Sequence, residues 1–121
     1  MSAGKYNFEI EKGATFARTF TYKDPSDVAI DLTGVVIYMQ IRDNYSAEVA
    51  AIDIDSDNIG GNGGITISDP ATGVFVITIT DEQTTLIPFA QGVYDIEIHY
   101  GNGSVERVLE GRVKVKPQVT Q

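Results

Sequence analysis

The chain has 121 residues, the size of one ordinary domain, and at that length about two-thirds of the unfolded surface is buried on folding. It has no cysteine, which excludes disulfides and thiolate metal sites. Seventeen acidic residues against nine basic ones leave a net charge of −8, the wrong sign for gripping a phosphate backbone, so nucleic-acid binding is not expected.

The first residues carry no basic region followed by an apolar run, so no secretory signal is expected. No apolar run approaches the length of a membrane-spanning helix, and no membrane association is expected. Residues 6–10 alternate Tyr6, Phe8 and Ile10 with Asn7 and Glu9, predicting a first strand, and residues 11–13 turn. Residues 14–22 form a second strand with Phe16, Phe20 and Tyr22 on one face. Arg18 falls on that aromatic face; either a bulge shifts the register or the strand end lies at a rim where the side chain snorkels.

Residues 23–27 read as a polar loop around Pro25, and Asp31, Thr33 and Gly34 as turn chemistry. Residues 35–42 are a strand with Val35, Ile37, Met39 and Ile41 facing one way. Residues 44–51 mix helix formers with strand formers and are read as irregular, leading into an edge strand over 49–54. A Gly- and Asp-rich loop spans 55–64, a short strand holds Ile65 and Ile67, and residues 69–73 make a tight turn. Residues 74–80 are a strand with Phe75, Ile77 and Ile79 inward. Thr80 and Gln83 match a capping box, so a short helical turn runs to Leu86 or Ile87 and stops before Pro88.

Residues 92–116 form a β-hairpin. Tyr94, Ile96, Ile98 and Tyr100 alternate with Asp95, Glu97 and His99; Gly101, Asn102 and Gly103 turn; the chain returns through Val105, Leu109, Val113 and Val115. Strict alternation on the return strand would point Arg107 inward, so a bulge is expected near Val108 or Gly111, with the bend at Gly111. Beyond it Arg112, Lys114 and Lys116 face outward together. The whole predicts one domain over 1–121, an antiparallel β-sandwich of about eight strands with one short helical turn and a polar tail at 117–121.

Three constellations imitate chemistry. Asp53, Asp55, Asp57 and Asn58 resemble an EF-hand loop, yet Asn58 stands where glycine belongs, Gly64 where the bidentate glutamate belongs, and no helices flank it. Asp95, Glu97 and His99 share a strand face, but His99 is the single histidine, so a polar stripe with cross-strand partners fits better than a metal site. Gly60 to Gly64 lacks the Gly-Lys-Ser/Thr ending of a phosphate loop. No nucleophile elbow accompanies His99. No catalytic, cofactor or metal residues are assigned, and the chain is not expected to be an enzyme. The stripe of Arg112, Lys114 and Lys116 either offsets acidic neighbours or docks an acidic partner or another copy of the chain.

Several stretches, taken in order, carry a family likeness. They are Lys12-Gly13-Ala14-Thr15-Phe16, Ile30-Asp31-Leu32-Thr33-Gly34 followed by residues 35–42, Asp69-Pro70-Ala71-Thr72-Gly73-Val74-Phe75, Gly92-Val93-Tyr94-Asp95-Ile96-Glu97, and residues 105–111. Over residues 12–117 the chain resembles small structural domains of tailed bacteriophages and prophages, and most nearly the N-terminal domain of phage baseplate upper proteins. The resemblance implies an immunoglobulin-like β-sandwich in a virion, made in the bacterial host cytoplasm, non-catalytic, and in contact with other virion proteins as a homo-oligomer. It supplies no site residues. Such domains often open a longer chain, and because this one stops at Gln121 an adaptor is expected rather than a host-recognition protein. The alternatives are a head decoration or neck protein, or a stand-alone sandwich binding carbohydrate or calcium, with Tyr38, Tyr94 and Tyr100 as candidate sugar-stacking rings, although Tyr94 and Tyr100 fit core or rim packing better.

Overall fold

The computed structural model describes residues 4–56 and 64–117. These hold nine strands: β1 (Gly4–Lys5), β2 (Phe8–Glu11), β3 (Phe16–Thr21), β4 (Val36–Arg42), β5 (Ile52–Asp55), β6 (Ile65–Asp69), β7 (Val74–Ile79), β8 (Gln91–His99) and β9 (Val105–Lys116). One short helix, α1 (Asp81–Thr85), joins β7 to β8. The first sheet runs β1-β9-β8-β4-β5 with β2 also on β9, and the second runs β3-β7-β6. Most of the expected loop over 55–64, and the tail from 118 onward, lie outside the described residues.

The two sheets close on one apolar core, because the period-two alternation of each strand gives it one apolar face. Ile37, Met39, Ile41, Ile96 and Ile98 from the first sheet meet Ile65, Phe75, Ile77 and Ile79 from the second, all buried. The molecule is an all-β sandwich. Its strands pair antiparallel except β1 and β2, which run parallel to β9. That exception was not foreseen.

The first strand, expected over 6–10, begins only at Phe8 as β2, with the short β1 before it. Tyr6 and Asn7 separate the two, and the Asn7 side chain takes over the missing rung by accepting the Arg112 N–H at 3.0 Å. Gly111 lies beneath this break: a Cβ there would stand 2.1 Å from the Tyr6 carbonyl oxygen. The expected bend at Gly111 is therefore a close backbone crossing. The register shift falls at Val108, the first of the two expected places, between the pairs Ile96–Leu109 and Glu97–Arg107. β5 begins at Ile52 rather than at residue 49.

Local signals set the turns. Thr80 and Gln83 form the expected capping box. Gly73, at φ +74°, closes the turn after Pro70, and a Cβ there would approach the carbonyl oxygens of Tyr22 and Ile30 at 2.5 and 2.8 Å. Thr84, fully buried in α1, accepts the Gly13 N–H at 3.1 Å and donates to the Ala14 carbonyl at 2.9 Å. The helix thereby clamps the β2–β3 turn.

Candidate functional site

The outer face of the first sheet carries the polar residues singled out from sequence, and the Val108 bulge decides how they meet. The extra residue turns Arg107 outward. Its Nε lies 3.3 Å from Asp95 Oδ2 and its Nη2 4.0 Å from Glu97 Oε2. Glu97 also reaches His99 Nε2 at 3.3 Å, and the His99 ring packs edge-on to Tyr38 at 4.5 Å between centroids. β4 and β8 are paired along their length, which sets Gln40 opposite Asp95 and Tyr38 opposite Glu97. The polar stripe has the cross-strand partner its spacing called for. Burial pushes the Asp95 carboxyl up from its ordinary range, and Arg107 pulls it only partly back.

The basic stripe is exposed as expected: Arg112, Lys114 and Lys116 all point to solvent along β9. It is not uniform. β2 runs alongside and sets Glu9 opposite Lys114 and Glu11 opposite Lys116. Lys116 Nζ lies 2.9 Å from Glu9 Oε1. This contact holds the Glu9 carboxyl below its usual range and raises the Lys116 ammonium above its own. Arg112 and Lys114 instead border a depression of about 520 Å³ shared with Asn7, Asp43, Tyr45 and Gln91.

Tyr45 was missed by the sequence reading because it sits in the segment without periodicity. The residue is 73% exposed, and it also borders a second, smaller depression with Arg42, Asp95 and Arg107. The other candidate rings are placed differently. Tyr94 is buried and donates to the Tyr6 carbonyl. Tyr100 is half-buried with its hydroxyl on Glu106, and Tyr38 faces His99.

Among the described residues no three or more His, Asp or Glu side chains are gathered to hold a metal ion. Asp53 and Asp55 lie on β5 against Gln40 and Tyr38, while Asp57 and Asn58 fall outside the described residues. No helix of the described residues is long and apolar enough to cross a membrane. No family model matches the chain, and no curated protein matches it.

Proposed function

We propose that this chain is a non-enzymatic structural protein of a tailed-bacteriophage or prophage virion, an adaptor assembled in multiple copies at the tail, baseplate or fibre attachment. The observation that carries this reading is where the residues of the family likeness sit. Gly73 and Gly92 occupy positions where a Cβ would meet backbone at 2.5 Å, and Leu32, Phe16 and Phe75 are core. The shared stretches thus serve the frame, as expected for a scaffold whose surface is free to vary. The strand order supports the immunoglobulin-like part of the reading. β9-β8-β4-β5 over β3-β7-β6 parallels, in a nine-stranded variable-type immunoglobulin sandwich, the ninth, eighth, third and fourth strands over the second, seventh and sixth.

The surface favoured for contact with other virion proteins is the Arg112–Lys114 end of the basic stripe with the neighbouring Tyr45 depression. Two cations not tied into the Lys116 ion pair, beside an exposed aromatic ring, suit an acidic partner. Mass spectrometry of purified particles from the host carrying the gene tests this role. The chain is expected as a reproducible component in multiple copies per particle. Its absence from particles, alongside abundant free protein in the lysate, would overturn the reading.

A further inference from the structure

A sandwich exposes two edges per sheet, and natural sheets blunt such edges with breaks, bulges, short strands or charges. Three of the four edges formed by the described residues are blunted. The β1/β2 edge is broken at Tyr6 and Asn7 and carries Glu9 and Glu11. β5 has four residues, two of them Asp53 and Asp55. β6 shifts register between Ile67 and Asp69. The fourth edge, β3, runs six residues in unbroken register with β7 and contains neither proline nor an acidic residue.

The open backbone groups of β3 can be assigned. The Tyr22 N–H donates to the Gly73 carbonyl at 2.8 Å, one step beyond the Thr21–Val74 pair. Antiparallel ladders alternate bonded and non-bonded pairs, so Phe16, Arg18 and Phe20 bond β7 while Ala17, Thr19 and Thr21 turn their N–H and C=O groups away from it. The Arg18 guanidinium agrees with this assignment, since it donates to the Ala17 carbonyl at 3.2 Å.

We infer that β3 is a self-association edge: two copies pair antiparallel through β3 about a two-fold axis at Thr19, joining their three-stranded sheets into one. The strand is self-complementary in that register. Thr19 meets Thr19 of the second copy, Ala17 meets its Thr21, and each pair exchanges both N–H···O=C bonds. Arg18 stands opposite Phe20 of the second copy, a cation against an aromatic face, the kind of contact it already makes with Phe16 at 4.9 Å.

Charge also selects this edge. Copies of a chain with net charge −8 repel one another in general. The β3 edge is locally balanced: Arg18 lines a depression of about 410 Å³ with Glu9 and Glu11, and Lys116 pairs with Glu9. An inward charge on an edge strand guards it when pairing would strand that charge. Here pairing leaves Arg18 between Phe20 of the second copy and its own two carboxylates. Phe20 and the half-exposed Tyr6, whose rings lie 6.4 Å apart, sit at the same margin and supply apolar surface.

The pairing is tested with the whole chain in solution, independently of any particle. Sedimentation at rising concentration is expected to show a shift from monomer to dimer. Thr19→Pro is expected to abolish the dimer and keep the fold, because its N–H faces away from β7. Thr19→Cys gives a second readout in a chain without cysteine. Bonded antiparallel partners lie about 5.5 Å apart at Cα, within disulfide reach, so it is expected to cross-link on oxidation far faster than an exposed Ser26→Cys control. A wild type that stays monomeric at every concentration, a dimer indifferent to Thr19→Pro, or cross-linking of Thr19→Cys no faster than the control would each overturn the inference. The virion reading would survive any of these results.

Discussion

The Tyr22 hydroxyl, one residue beyond β3, donates to a carboxylate oxygen of Glu106 in β9 of the other sheet at 2.8 Å, and Tyr100 reaches the same oxygen at 3.0 Å. Glu106 stands opposite Ile98 on the core side of β9, because the Val108 bulge shifts the parity of the strand before it. Both hydroxyls therefore meet a charge at the rim of the sandwich. Bonds to a charged group are the stronger kind, and Tyr22→Phe is expected to lower unfolding stability by about 1–2 kcal/mol in urea titration. Glu106→Ala is expected to cost more than either single tyrosine change, since it leaves two hydroxyls without that acceptor.

The same rim gives an alkaline limit. Burial first, then the Glu106 carboxylate, pushes the Tyr22 phenol well above its ordinary value of 10.0. The Tyr100 and Tyr94 phenols are also raised, chiefly by burial. A raised folded-state value favours the protonated native form. Its stabilisation is fully present below the unfolded phenol value near pH 10 and is lost as pH rises toward the folded value. Urea midpoints are expected to hold up to about pH 9 and to fall above about pH 10, less steeply in Tyr22→Phe.

Tyr94 and Gly111 form a second interdependent pair. They face each other across β8 and β9, and the Tyr94 hydroxyl reaches over to the carbonyl of Tyr6, which lies against Gly111. Gly111→Ala forces that backbone apart and is expected to cost about 1–3 kcal/mol. Tyr94→Phe strands the Tyr6 carbonyl and is expected to cost about 1 kcal/mol or more. Hydrogen exchange offers a local readout: the Arg112 amide, held by Asn7, is expected to lose protection in Gly111→Ala more than β4 amides do.

These relationships mark where sequence reading succeeds and stops. Alternation placed Phe75, Ile77 and Ile79, Ile37, Met39 and Ile41, and Tyr94, Ile96 and Ile98 on the core side, because a strand's period is local. Arg18 resolved as a rim residue over Phe16, since β3 has no bulge. The break at Tyr6 and Asn7 was not legible: the rung that replaces it comes from a partner 105 residues away in the chain. Arg107 turns outward as a bulge at either expected place requires; its place at Val108 is what keeps Leu109 on the core side. Of the stripe, exposure was legible, whereas the neutralising approach of Glu9 to Lys116 needed the parallel pairing of β2.

Asp95 provides a test with the opposite sense from an ordinary surface carboxylate. Desolvation outweighs Arg107, so its folded value lies above the ordinary 3.8. Stability from this group is present below the unfolded value and is lost as pH rises through the folded one. Asp95→Asn is therefore expected to be slightly more stable than wild type in urea at neutral pH. That advantage should vanish when both are compared below the ordinary aspartate range.

The assembly surface is tested most directly by counting copies of the chain per purified particle for wild type and for Arg112→Glu/Lys114→Glu, with matched expression and unchanged melting. Both residues are exposed, and neither carries the Lys116–Glu9 ion pair, so the fold is expected to tolerate reversal. Multiple copies per wild-type particle are expected, with loss of most of them in the double variant. Equal copy numbers in both, or none in wild-type particles, would contradict this assembly role.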